Sequence, residues 1–352
     1  PGADGVGEFW RLLAGGRAAL TRWSRAQLAA KGVPSAVHDH PRYVAAAYVV
    51  GGAERFDAAF WSISPHEATL MDPQHRVFME VAWHGLEHAG VAPRAGTPHR
   101  TAVVAAPGID GYMHHHLGGA PLKDALAPGD IFLGEVGSEK DYMATRVSYA
   151  LDLMGPSYAL NSACSSALAA VALAAQALLT DQADLALGGA SALSFPGQGY
   201  LYEEGLVSSS DGYVRPFDAD ASGTVFGDSV GVAVLGRAGR YAGAEGAAPL
   251  ARVRGFGVTN DGARKAGYAA PGIGGQRMAI EAALAMSGLP PSAIGYVECH
   301  ATGTLIGDGI EVRALREAFA AQAAPGAVDA PPCVLGSVKG NIGHANAAAG
   351  VT

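Results

Sequence analysis

At 352 residues the chain is long for one domain and comfortable for two fused halves. Hydrophobic residues make up 49% and charged residues only 16%, against about 25% charged in an ordinary soluble domain, so a large core or a subunit interface must absorb the apolar surface. A net charge of -8 with no run of Lys or Arg excludes nucleic acid as a main partner, and three scattered cysteines (164, 299 and 333) exclude a disulfide framework.

Such cysteine usage fits a reducing, intracellular setting: the cytoplasm, or an organellar lumen in a eukaryote. No signal-peptide pattern is present. The longest apolar stretch, around 167–179, is broken by Gln176 and is shorter than the ~18 residues of a membrane span.

In chain order, 65–90 carries apolar residues at helical spacing up to a glycine and predicts one long helix, or one starting after Asp72-Pro73. Residues 100–106 (RTAVVAA) predict a buried strand, 140–151 a helix and 157–160 a strand. A helix follows residue 164, and 184–190 (DLALGGA) is a strand ending in glycines. Further strands are predicted at 229–235 and 251–258, a helix at 276–287, a strand at 295–299 and a helix at 310–321. The last elements are a strand at 333–338 and a helix from Asn341 onward. Strands alternating with helices give an α/β layered architecture. The Gly/Ala-rich stretch 236–250 (GRAGRYAGAEGAAPL) reads as a joint, which divides the chain into halves 1–240 and 241–352.

Residues 161–171 read NSACSSALAAV. They place Cys164 among small residues where a strand stops and a helix starts. A buried structural thiol is one reading. A nucleophile on a strand-to-helix elbow is the other, since unpaired N–H groups at a helix start favour the thiolate. Cys299 and Cys333 fall in predicted strands and read as core. Two histidines stand apart: His300 in VECHATGTLIGDGIE and His344 in GSVKGNIGHANAAAG. Each follows a strand at a turn of small residues, as Cys164 does, and three strand ends of a layered α/β fold can converge on one pocket. The run His114, His115 and His116 has no spaced acidic or cysteine partners, so no metal site is assigned to it.

These stretches resemble the motifs of the β-ketoacyl synthases of polyketide and fatty-acid synthesis, in the thiolase superfamily. NSACSSAL is similar to the family's cysteine motif. VECHATGTLIGDGIE and GSVKGNIGHANAAAG are similar to its two histidine motifs. FDAAFWSISPHEATLMDPQHR, YMATRVSYALDLMGPS and VRPFDADASGTVFGDSVG follow in the family's order, and the flavour is that of modular type I polyketide synthases. Ser162, Ala167, Cys299, Ala301 and Gly309 depart from the usual motif residues without removing a reactive group.

The resemblance implies the thiolase fold: two similar βαβαβ halves in α/β/α/β/α layers, here truncated at both ends, with the C-terminal half incomplete. It implies decarboxylative Claisen condensation. Cys164 would take an acyl chain from the 4′-phosphopantetheine arm of an acyl carrier protein, and a malonyl-type extender on a carrier would then lose CO2 and attack it. His300 and His344 would hold the enolate oxygen, and Lys339 would orient the site. Thr302 and Thr304 would bond the pantetheine arm, while Asp308 and Glu311 brace the fold. No cofactor is bound by the domain itself. The partners implied are acyl and malonyl thioesters, the carrier, a second copy of the chain in a homodimer, and other polyketide synthase domains. The alternatives are a CoA-dependent thiolase-like acyltransferase, which pairs its histidine with Asn or a second Cys, and a non-extending partner domain, which lacks the cysteine or a histidine.

Overall fold

The computed structural model describes residues 1–117, 128–195, 197–239, 249–322 and 332–352. Among the described residues, the largest sheet has four strands in the order Ser157–Ala159, Thr101–Pro107, Leu185–Ala192, Ser229–Gly236. The first three run parallel and the fourth antiparallel. Val103 lies opposite Ser157 and Leu187, and Leu187 opposite Val234. Every residue of Thr101–Pro107 and Leu185–Ala192 is buried. A parallel strand covered on both faces shows no side to water, which is why both read as continuous apolar runs.

On one face of the sheet, Phe78, Met79 and Leu86 of the helix Pro73–His88 pack with Met143, Val147 and Leu151 of the helix Tyr142–Leu151 around Val103 and Leu187. On the other face, Ala170, Ala174 and Ala177 of the helix Ser166–Leu179 meet Ala102, Val104 and Ala186. Alanines let this helix lie close to the sheet. A Cβ on Gly188 would stand 2.9 Å from Val171 Cα and 3.1 Å from Ala174 Cβ, so position 188 has room only for glycine. In the second half, the parallel pair Tyr296–Glu298 and Val334–Gly336 is backed by the helices Ile273–Ser287 and Gly307–Gln322, whose Ile280, Leu315 and Phe319 enclose Cys299 and Ala301.

The layered α/β expectation holds, with five local corrections. Residues 65–90 form two helices, Pro65–Leu70 and Pro73–His88. Asp72 starts the second by accepting a hydrogen bond from Gln74 N at 2.7 Å, with Pro73 at the first helical position. No strand forms at 251–258 among the described residues; there Gly255 and Gly257 press against the backbone of the helix Ile273–Ser287, where any Cβ would overlap the Ala283 and Ala279 carbonyls. In place of a helix from Asn341 onward, a short helix Lys339–Ile342 stops at Gly343, which has φ +73°, and a 3-10 turn Asn346–Ala348 follows. Cys333 is only partly buried and lies just ahead of the strand Val334–Gly336 rather than in it, whereas Cys299 is buried. The helices Val6–Ala14 and Pro128–Ser138 are additions to the predicted elements. The boundary at 240/241 lies outside the described residues. Among those described, no helix is long and apolar enough to cross a membrane.

Candidate active site

Cys164 sits in a 3-10 turn, Ala163–Ser165, between the strand Ser157–Ala159 and the helix Ser166–Leu179. The turn is strained: Ala163 has φ +52°, a left-handed conformation that costs a non-glycine residue on the order of 1–3 kcal/mol. Serine hydroxyls hold it closed. Ser166 Oγ accepts from Ser162 N at 2.8 Å and donates to the Ala163 carbonyl at 2.7 Å, and Ser165 Oγ donates to the Ser162 carbonyl at 2.8 Å. The small polar residues around the cysteine are therefore the staples of its elbow.

His344 comes from the other half of the chain. Its N–H donates to the Val225 carbonyl at 2.8 Å and its carbonyl accepts from Gly227 N at 2.9 Å, so the strand-like segment carrying Phe226 grips it on both sides. Gly343 permits the approach, since a Cβ there would stand 2.5 Å from Tyr48 Cδ2. His344 Nε2 lies 3.1 Å from Cys164 Sγ. The His300 ring stands edge-on to the His344 ring, with centroids 5.1 Å apart and planes at 86°. One donor atom from each of Cys164, His300 and His344 falls within 4.8 Å of the others. The structure thus brings together the three residues singled out in the sequence.

Glu311, on the helix Gly307–Gln322, accepts from His300 N at 2.6 Å and from Ala301 N at 2.8 Å. Asp308 accepts from Gly303 N at 3.2 Å and Phe217 N at 2.9 Å, which fixes the loop after His300. On that loop Thr302 is buried, and its hydroxyl lies 3.3 Å from that of Thr304. Lys339 is buried at the start of its short helix. Its charge reaches Cys164, His300 and His344. The run His114, His115 and His116 is exposed on a π-helical turn, Met113–Leu117.

Burial dominates the electrostatics. It pushes His344 down to about 3, helped by His300 and Lys339, and His300 down to about 4, helped by Lys339. His300 retains open surface at the pocket edge, but the protein crowding its ring is the larger influence. Burial also lowers the Lys339 pKa, opposed by Glu298 and Glu311. The expectation that a helix start favours the Cys164 thiolate is corrected. The α-helix begins two residues later, and desolvation raises the thiol pKa, with Lys339 opposing. The resting pair is a neutral thiol beside a neutral imidazole.

Two features were not read from the sequence. One is the strain at Ala163. The other is Phe226, whose ring stacks on that of His344 at 5.4 Å and 25°; its sequence signal is a lone aromatic among small residues, Thr224, Val225 and Gly227. The Cys–His–His set has donors suited to a soft divalent metal. However, metal-binding imidazoles pass their second N–H to a carboxylate or carbonyl, and His344 Nδ1 is buried with no hydrogen-bond partner among the described residues. A nucleophile 3.1 Å from a base, with a second imidazole alongside, fits covalent acyl chemistry better.

Comparison with known proteins agrees. Residues 1–240 match the family model "Beta-ketoacyl synthase, N-terminal domain" and residues 250–352 match "Beta-ketoacyl synthase, C-terminal domain". The chain is 42% identical, over its whole length, to a phenolphthiocerol/phthiocerol polyketide synthase of Mycobacterium tuberculosis, of which it covers 24%. It is 35% identical over its whole length to polyketide synthase PksN of Bacillus subtilis, of which it covers 6%. Among solved structures, ketosynthase twelve of the bacillaene polyketide synthase of Bacillus amyloliquefaciens superposes with a TM-score of 0.88 at 34% identity, covering 99% of this chain and 60% of that one. The chain spans about a quarter or less of these curated relatives and about three fifths of the solved ketosynthase.

Proposed function

The chain belongs to the β-ketoacyl synthase family and has the thiolase fold of the ketosynthases it matches, and from that premise we propose that it condenses acyl and malonyl-type thioesters as the ketosynthase of a modular polyketide synthase. The observation that carries this reading is the 3.1 Å contact between Cys164 Sγ and His344 Nε2 with His300 against the same ring.

In the first step Cys164 attacks the carbonyl of an acyl group held on the phosphopantetheine of a carrier protein. Its proton passes to His344 Nε2, and the pantetheine thiolate leaves and is protonated. A thiol held neutral at rest and charged only as it reacts suits this step. In the second step a malonyl-type extender on a carrier loses CO2, and its electron pair collects as an enolate. N–H donors on His300 and His344 stabilise the enolate oxygen, His344 from a buried position and His300 from the pocket edge. The enolate carbon then attacks the acyl-Cys164 carbonyl, the sulfur leaves as thiolate and takes up a proton, and the β-ketoacyl thioester stays on the carrier. Lys339 supplies a fixed positive field beside these groups, and the Thr302 and Thr304 hydroxyls receive the pantetheine arm. The domain needs no cofactor of its own. Its partners are the carrier, a second copy of the chain and the neighbouring domains of a multidomain synthase, and its setting is intracellular.

The test is intact-protein mass spectrometry with acetyl-carrier and with acetyl-CoA. An acetyl increment on Cys164 from the carrier supports the reading. Labelling by acetyl-CoA alone would move the protein to a thiolase-like chemistry.

A further inference from the structure

We infer that Phe226 is the positioning residue of His344, its ring holding the imidazole in the plane that aims Nε2 at Cys164. The inference rests on the ketosynthase reading and adds a residue to it.

A histidine that moves a proton is usually oriented by a hydrogen bond at its other ring nitrogen. Here that bond is missing: among the described residues His344 Nδ1 has no partner, although the residue is only 3% exposed. Rotation about the last side-chain torsion of a histidine is soft. Turning the ring would carry Nε2 away from Sγ and put a carbon in its place, so something other than a hydrogen bond has to fix the plane.

Packing can do this from two directions. Phe226 covers one face of the ring, nearly parallel to it, at 5.4 Å and 25°. His300 stands edge-on, at 5.1 Å and 86°. The Phe226 contact is built in by the backbone, because Phe226 and His344 are partners in an isolated parallel bridge flanked by the Val225 and Gly227 hydrogen bonds. The backbone therefore fixes the two residues side by side, and the planar ring sets the angle. Phe226 is also 42% exposed. A phenyl ring left open to water contributes little to the core, so its service lies in what its buried face touches. His300 meets the same ring at a right angle, so it offers no parallel surface for the imidazole to lie against, as Phe226 does.

The experiment compares Phe226→Ala, Phe226→Leu and Phe226→Tyr with the parent chain, using acetyl-carrier and malonyl-carrier as substrates and 15N-histidine NMR to follow His344. Tyrosine keeps the planar face and can point its hydroxyl to solvent; leucine keeps apolar bulk without a plane. We expect Ala and Leu to lower kcat for condensation by about tenfold or more, the scale of a misplaced catalytic group, with KM for malonyl-carrier within about twofold and an unchanged unfolding midpoint, and we expect Tyr to restore most of kcat. The His344 ring nitrogens should give one sharp set of signals in the parent and Tyr proteins and exchange-broadened signals in Ala and Leu. Unchanged His344 signals in Phe226→Ala overturn the inference, as does Leu restoring activity as well as Tyr. The spectra need no turnover, so a parent chain that takes up no acetyl group sinks the ketosynthase reading while they still decide the role of Phe226.

Discussion

Glu311 holds His300 by its backbone: one carboxylate oxygen accepts the His300 N–H at 2.6 Å, while the other accepts the Ala301 N–H at 2.8 Å. A helix that begins seven residues after His300 thus anchors the backbone that carries it. Glu311→Ala leaves two N–H groups without an acceptor; the one on His300 is exposed and water can replace it, while the partly buried one on Ala301 is worth about 1–3 kcal/mol. The expected result is a loss of about 1–3 kcal/mol in urea unfolding and a fall in condensation larger than the fall in Cys164 acylation. Glu311→Gln keeps one acceptor oxygen and should lose about half as much. Equal losses of acylation and condensation would show that Glu311 acts on the fold alone.

Cys164→Gln separates the two chemical steps. Acyl transfer requires the sulfur, so self-acylation should vanish. Decarboxylation requires only donors for the enolate oxygen, and a glutamine amide resembles an acylated cysteine in size, with a carbonyl and an NH2. The variant should convert malonyl-carrier to acetyl-carrier without forming β-keto product, and His300→Ala or His344→Ala in the same chain should stop it. Mass spectrometry of the carrier arm reads all three; continued β-keto product would remove Cys164 from its role.

Acid should unfold the protein through its histidines. His344 and His75 sit at about 3 and His300 at about 4 in the folded chain, against about 6.5 when unfolded. Between those values the unfolded chain binds protons that the folded chain refuses, so stability is full above about pH 6.5 and falls as pH drops towards 3–4. Asp72 works the other way: burial raises it to about 6, so it opposes folding above that pH and is relieved below it. Among the described residues, both ring nitrogens of His75 are unpartnered. His75→Leu should therefore flatten the acid limb of stability against pH without loss of stability at pH 7; an unchanged limb would exclude His75 as a contributor.

Among the described residues, the strand Ser157–Ala159 is an edge of the four-stranded sheet, and Tyr149, Met154 and Tyr158 near it in sequence are exposed. An open edge flanked by apolar side chains favours pairing with a second copy. Light scattering at micromolar concentration should give twice the protomer mass, and Tyr158→Glu should give the protomer mass. A parent chain that already runs as a protomer refutes this.

Much of the site was legible because its chemistry is local in the sequence. Cys164, His300 and His344 each stand at a turn of small residues after an apolar run, and each lies where the layered fold converges. What escaped depends on contacts between distant segments. The Cys164 thiol reads as activated by a helix, but its environment is set by burial and Lys339, which spacing does not reveal. Residues 251–258 have the residues of a strand, yet their glycines rest on a helix instead. Phe226 carries no reactive group, and its place beside His344 follows from a backbone bridge that periodicity does not show.

The contact between Cys164 and His344 joins residues 180 positions apart. During synthesis at about 5–20 residues per second, the thiol is made roughly 10–40 s before its base. Through that interval the cysteine has neither Lys339 nor His344 beside it, so it lacks the base that takes its proton as it attacks. The protein therefore carries its own arming delay: the nucleophile acquires its neighbours only when the second half docks, so a half-made chain is poorly equipped to capture a thioester it has no means to extend.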